Sequence, residues 1–310
     1  MKIQYRNIKT GEIPGMDLTM PYLVIGKGKP IVSLLSGVHG GEESGLLIIK
    51  NLLDALKSEK ITGTLKIIPS CNVVAQAFKT RVVNGFDYAD LNRSFPGKKQ
   101  GNYTQQVAAK IFSLVKDSDC VLDLHTFTMI SPLIGILTKS ADQQKDDRAL
   151  TILRSMNLDL IWLLETKVLA SSYLGTLGDA FSGLKGTYLC LETPNIYRLT
   201  PEELTRSTKG IVNLLKQYGI IQNGFVKTKS KEIPVVKRID QKSESGGLFV
   251  PLKGYMQQVK KGDLIGEIYF LKDFKPKDVK ATYSGLIMMI RSKSLISSGD
   301  KIIAYGQDVV

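Results

Sequence analysis

Histidine is nearly absent from this sequence: among 310 residues only His39 and His125 occur. Tryptophan is scarcer, with Trp162 alone, and cysteine is limited to Cys71, Cys120 and Cys190. An odd number of widely spaced cysteines with no CxxC pair argues against a disulfide framework, so they read as reduced core residues. No segment approaches the roughly 18 uninterrupted apolar residues of a membrane span. The first residues mix charges with turn formers and lack the apolar core of a signal peptide. These absences predict a soluble, cytoplasmic chain with no membrane partner. Positive charge, in contrast, is abundant: 42 Lys and Arg against 29 Asp and Glu, a formal net charge of +13. The lysines are scattered and form no basic block interleaved with aromatics, so no nucleic acid partner is expected. The excess mildly favours anionic small-molecule substrates. Association into a homo-oligomer stays open.

What is present is an alternation of strand and helix patterns between about residues 22 and 219, the signature of an α/β sheet. Strands are predicted at 31–37, 65–70, 120–124, 133–137 and 187–191. Helical spacing of apolar residues occupies 42–57, 104–115, 141–156 and 201–218. The last helix carries its own start signal, with Thr200 as cap, Pro201 at the first position and Glu203 completing a capping box.

After about Gly224 no amphipathic helix follows, which divides the chain into an α/β domain (1–223) and a smaller β domain (224–310). The second part contains a weak internal repeat. Gly247-Leu248-Phe249 leads to Lys261-Gly262-Asp263-Leu264-Ile265, and Gly285-Leu286-Ile287 leads to Ser298-Gly299-Asp300-Lys301-Ile302. Two units with a Gly-Asp turn at matching offsets predict a small two-fold β sandwich or barrel. The repeat resembles the half-motifs of the lipoyl and biotinyl carrier fold, with Lys272 between the halves. The segment Phe270-Leu271-Lys272-Asp273-Phe274 matches neither modification motif, so an unmodified β domain is expected.

The chemistry concentrates around the two histidines. His39-Gly40-Gly41-Glu42 follows a buried strand and opens a helix, which puts an imidazole and a carboxylate at the carboxyl edge of the sheet, where ligands bind in open α/β folds. Gly40 and Gly41 are expected to permit the sharp backbone path that lets the two converge. Asp123-Leu124-His125 ends a second apolar strand. Two histidines and one carboxylate form a recognised catalytic zinc set with a position left for water, predicting one Zn²⁺ per chain on His39, Glu42 and His125. Asp123, if its strand direction allows, or a nearby backbone carbonyl could orient a ligand histidine from behind.

Glu192 closes the strand at 187–191 and reaches the same edge if that strand is parallel to the others, where it could take a proton from water. The irregular stretch from Asn72 to Gly97 holds Arg81, Asp87, Asp90, Asn92 and Arg93. Long loops of this kind are usually functional. Arginine forks suit carboxylates and oxyanions, making Arg81 and Arg93 natural substrate clamps. Asp90 reads as the partner that orients the loop.

In this order, His39-Gly40-Gly41-Glu42, Arg81, Asp90-Leu91-Asn92-Arg93-Ser94-Phe95-Pro96-Gly97, Asp123-Leu124-His125 and Glu192 resemble the succinylglutamate desuccinylase and aspartoacylase family, part of the wider zinc carboxypeptidase-like group. The resemblance covers about the first two thirds of the chain. It implies a zinc-carboxypeptidase-like mixed α/β sheet flanked by helices, with a C-terminal all-β, barrel-sandwich-like domain. It also implies hydrolysis of an N-acyl amino acid or related amide. Carried over by motif, His39, Glu42 and His125 hold zinc and Glu192 activates water. Arg81 steadies the developing oxyanion, and Asn92 and Arg93 hold a substrate carboxylate or other polar group. One departure is that Thr193-Pro194-Asn195 follows Glu192 in place of a glycine-rich continuation. For an active-site tyrosine the candidates are Tyr173, Tyr188, Tyr197 and Tyr255. Two other functions fit parts of the sequence: a metallocarboxypeptidase trimming peptides, and a non-catalytic binding or carrier protein.

Overall fold

Three near-continuous apolar runs become the centre of one large sheet, because a strand covered on both faces has no polar side to show. A computed structural model describes residues 2–83, 86–165, 173–194, 199–222 and 233–308. Its strands are β1 (Ile3–Ile13), β2 (Met16–Lys27), β3 (Ile31–Ser36), β4 (Gly63–Ile68), β5 (Cys120–Thr126), β6 (Met129–Ile130), β7 (Ile134–Thr138), β8 (Leu160–Leu164) and β9 (Thr187–Thr193). The C-terminal region adds β10 (Val235–Lys242), β11 (Gly247–Pro251), β12 (Gln258–Val259), β13 (Leu264–Tyr269), β14 (Pro276–Lys280), β15 (Gly285–Arg291), β16 (Leu295–Ile296) and β17 (Lys301–Asp308). The described helices are α1 (Ser44–Ala55), α2 (Val73–Phe78), α3 (Tyr103–Val115), α4 (Gln143–Arg154), α5 (Leu177–Phe181) and α6 (Pro201–Gln217).

The sheet runs β1-β2-β4-β3-β5-β9-β7-β8-β10-β17-β15-β12, with β6 attached to β15. Strands β4, β3, β5 and β9 are mutually parallel, and β7 returns antiparallel to β9. After β3 the chain crosses to β4 on one side, then to β5 on the other. The crevice between β3 and β5 is therefore a topological switch point, where loops leave in opposite directions and open a ligand site. Helices cover both faces. Ile48 and Leu52 of α1, Ile152 of α4 and Leu214 of α6 pack on one side; Val107 and Ile111 of α3 and Phe181 of α5 pack on the other. The capping box at Thr200 and Glu203 forms as the sequence requires.

The C-terminal region is all β among the described residues. A four-stranded sheet, β14-β13-β11-β16, faces the extension of the main sheet across a core that includes Phe249, Ile265, Ile287 and Tyr305. The repeat read in the sequence has equivalent backbone in both halves. Gly247 and Gly285 have φ of 154° and 150°, and Gly262 and Gly299 have φ of 95° and 87°. In each turn the aspartate accepts a hydrogen bond from the backbone three residues earlier, Lys260 N to Asp263 and Ser297 N to Asp300, both 2.8 Å. The expected domain junction at 223/224 lies outside the described residues. Beyond it, β10 pairs in parallel with β8 through Val235–Ile161 and Val236–Trp162, so strands of both regions share one sheet. No helix among the described residues is long and apolar enough to cross a membrane.

Candidate active site

Strand alternation builds half of the site. In β5, Cys120, Leu122 and Leu124 face the core under α1 and α4, while Val121 faces the α3 side. The period of two puts Asp123 and His125 on the face of Val121. Parallel β9 lies beside it with Val121 opposite Tyr188, Asp123 opposite Cys190 and His125 opposite Glu192. The condition set for Glu192 is met: its strand is parallel and it emerges beside His125 at the same edge.

The other half is the turn leaving β3. Gly37 takes φ 66°, which a side-chain-bearing residue rarely adopts. His39 and Glu42 follow before the first turn of α1. The glycines act differently from the sequence expectation. Gly40 is required by close approach, since a Cβ there would lie 1.8 Å from the Ala75 carbonyl oxygen, whereas at Gly41 a Cβ has room.

His39, Glu42 and His125 converge, all buried, with one ligand atom from each within 4.8 Å of the others. Glu42 lies between the rings: Oε1 is 2.7 Å from His39 Nδ1 and Oε2 is 3.0 Å from His125 Nδ1. The far nitrogens face other carboxylates. His39 Nε2 is 3.2 Å from Asp90 Oδ1, and His125 Nε2 is 3.1 Å from the fully buried Asp123. Carboxylates behind each histidine are the usual outer shell of a metal site, because they set ring orientation and raise basicity. The donor set, two imidazoles and a carboxylate aimed at one point with a position left open, fits a catalytic divalent cation such as zinc, so this group can hold a metal ion.

Burial would lower the basicity of both imidazoles, but Asp90 and Glu42 outweigh it at His39, and Asp123 and Glu42 outweigh it at His125, leaving both raised. Burial would raise Glu42, yet the imidazolium charges bring it down to about 2. Glu192 is the opposite case: burial dominates and pushes its carboxyl up to about 8. Its Oε2 has no hydrogen-bond partner among the described residues. A buried carboxyl left without a partner is costly in a merely structural role.

Asp90 ties the irregular loop to this centre. It caps a short 3₁₀ turn, Leu91–Arg93, by accepting from Asn92 N. Its Oδ2 receives both Nε and Nη2 of Arg81 at 3.0 Å. Asp87, in contrast, is structural, accepting from Thr104 N and Oγ1 at the start of α3. Arg81, Asn92 and Arg93 line the same cavity of about 580 Å³ as the histidines, Glu42 and Glu192. Asn92 Oδ1 is buried without a partner among the described residues.

Of the tyrosine candidates, Tyr173 and Tyr188 line the cavity, and Tyr188 donates to Asp123 Oδ2 at 3.1 Å. Tyr255 lines a separate, smaller cavity, and Tyr197 lies outside the described residues. Sequence reasoning missed much of the rest of the wall, including Phe127, Trp162, Arg238, Asp240 and Lys301. Only the scarcity of tryptophan could have drawn attention to any of them.

The catalytic-domain profile of the succinylglutamate desuccinylase/aspartoacylase family matches residues 29–218. The chain is similar to the N-alpha-acetyl-L-2,4-diaminobutyric acid deacetylase of Halomonas elongata, 27% identical over 305 residues, covering 94% of this chain and 86% of that one. In fold it is similar to the succinylglutamate desuccinylase/aspartoacylase of Rhodobacter sphaeroides (TM-score 0.84, 22% identity, 99% of this chain and 96% of the other). It is likewise similar to the product-bound ectoine utilization protein of Ruegeria pomeroyi (TM-score 0.85, 22% identity, 98% and 95%). With a profile match spanning most of the α/β part and the ordered motif residues gathered in one cavity, the chain belongs to the succinylglutamate desuccinylase/aspartoacylase family.

Proposed function

We propose that this protein is a zinc-dependent deacylase that hydrolyses the amide bond of a small, carboxylate-bearing N-acyl amino acid or related N-acyl amine. The observation that carries the reading is the pairing of a three-donor candidate metal group with a buried Glu192, in register with His125, whose Oε2 has no hydrogen-bond partner among the described residues. The deacetylase relative supports amide hydrolysis as the reaction class.

His39, Glu42 and His125 would hold one zinc ion, which supplies Lewis acidity to the scissile carbonyl and acidifies water beside it. Glu192 then takes the water's proton and delivers it to the leaving nitrogen. A carboxyl pushed up to about 8 by burial, against the pull of the His125 and His39 rings toward the charged form, retains a proton well enough to hand it on. Arg81 is held by Asp90 through Nε and Nη2, with Nη1 left to meet the carbonyl oxygen as it becomes anionic. Asn92 and Arg93 hold a substrate carboxylate.

The domains are read as a hydrolase unit over 1–223 and a barrel-sandwich-like β unit over 224–310, and the enzyme is placed in the cytoplasm. Residues of the second unit wall the cavity, which favours small amides over the peptides a carboxypeptidase trims. Assay of zinc-loaded protein against N-acetyl and N-succinyl amino acids, N-acyl polyamines and dipeptides tests this. Turnover of the N-acyl compounds is expected; release of amino acids from dipeptides alone would replace the deacylase with a carboxypeptidase.

A further inference from the structure

The cavity wall away from the metal group is made by residues that the reaction above does not use. Arg238 of β10 lays its guanidinium over two rings, 5.1 Å from the centroid of Trp162 and 5.8 Å from that of Phe127. Its Nε donates to Asp240 Oδ1 at 2.6 Å, and its side chain is only 13% exposed. The other oxygen of Asp240 pairs with Lys301 Nζ at 2.6 Å. One carboxylate thus faces two cations, leaving this wall with net positive charge. Among the described residues neither Nη atom of Arg238 has a hydrogen-bond partner, although Arg238, Trp162 and Phe127 all line the cavity. A planar fork fixed by stacking and by its Nε, with its remaining donors free, is preorganised for a carboxylate, because little side-chain entropy remains to be lost on binding.

The position sets which carboxylate. β10 is three strands from β9 in the sheet, and at a strand spacing of about 4.8 Å its backbone lies roughly 14 Å from that of Glu192. Arg238 reaches back over Trp162 in β8 toward Phe127, two residues beyond His125. The group it meets is therefore several bonds from the scissile amide.

We propose that Arg238, held by Trp162, Phe127 and Asp240, is a specificity-determining residue that binds a carboxylate at the end of the substrate remote from the amide. This rests on the deacylase reading for its place in the reaction. The carboxylate belongs either to the side chain of the amino acid or to the acyl group; both present the same chemistry to the fork.

Trp162 is the sole tryptophan, so its emission reports ligands at this wall. Zinc-loaded protein is mixed in stopped flow with N-acetyl-L-glutamate against N-acetyl-L-glutamine, and with N-succinyl-L-alanine against N-butyryl-L-alanine. The early change in Trp162 fluorescence is read before turnover, and kcat/KM is measured separately. In at least one pair the acid is expected to bind at least about tenfold more tightly than its neutral counterpart, and the pair that responds identifies the half of the substrate involved. Arg238→Met abolishes that preference, Arg238→Lys restores part of it, and Lys301→Met retains most of it, each in protein with a wild-type-like melting transition. The proposal is overturned if neither pair is discriminated, if Arg238→Met keeps the preference, or if N-acetyl-L-2,4-diaminobutyrate is preferred to both acids. A carboxylate-dependent fluorescence change without hydrolysis of any amide would remove the deacylase reading and leave the Arg238 clamp standing.

Discussion

Asp90 sets one carboxylate oxygen 3.2 Å from Nε2 of His39 and gives the other to Arg81. A single side chain on the loop thus ties an imidazole of the candidate metal group to the guanidinium proposed to face substrate. Replacing it by asparagine keeps the shape and removes the charge both partners need. Asp90→Asn is expected to weaken zinc binding about 10- to 100-fold and to lower kcat/KM further than metal loading restores. Chelator competition and kinetics at saturating zinc separate the two effects.

If the candidate group holds zinc as proposed, zinc retention is expected to depend on His39. Wild-type protein dialysed against a mild chelator is expected to keep one equivalent of zinc, and His39→Ala to keep almost none. Stoichiometric zinc in the dialysed variant, measured by elemental analysis, would show that the metal lies elsewhere.

At the proposed metal site protons would compete with the ion at both imidazoles, because each is raised above its ordinary value by the carboxylates around it. Glu42, brought down to about 2, stays ionised and does not contribute to the competition near neutrality. Zinc affinity is therefore expected to rise with pH, by up to about a hundredfold per unit while both rings are protonated, and to level off above their raised values. A flat profile from mildly acid to mildly alkaline pH in a competition assay would contradict this.

Glu192→Gln preserves size and removes the proton acceptor. A fall in kcat of about 10²- to 10⁴-fold is expected, with zinc content and melting temperature near those of wild type. Undiminished turnover would take the proton-transfer role from Glu192.

Three substitutions test the scaffold. Gly40→Ala forces a Cβ into the Ala75 carbonyl and is expected to cost about 1–3 kcal/mol, whereas Gly41→Ala meets nothing closer than 3.8 Å and is expected to be nearly neutral. Tyr188→Phe deprives the fully buried Asp123 of a donor, at a cost of about 1–3 kcal/mol. Thermal and urea melts measure all three.

The central strands β3, β5 and β9 were legible because strands buried on both faces read as unbroken apolar runs, and α6 was legible from its capping box. The hairpin of β1 and β2 was not. Most of β1 is exposed or half-buried, so its residues carry no clear hydrophobic pattern. Asp90's tie to His39 was missed because the sequence reading gave it only the loop to orient.

Taken alone, the sequence determined the donor types and their attachment to strand ends: two histidines, one following and one closing an apolar run, with Glu42 three residues after the first. Local spacing carries that information because a turn and a strand each have fixed geometry. The tertiary structure decided which residues face one another across the cavity. Parallel pairing of β5 with β9 put Glu192 beside His125, and pairing of β8 with β10 placed Arg238 on Trp162. Contacts between segments so far apart in the chain depend on strand order and register, which are set by packing of the whole sheet and not by neighbours along the chain.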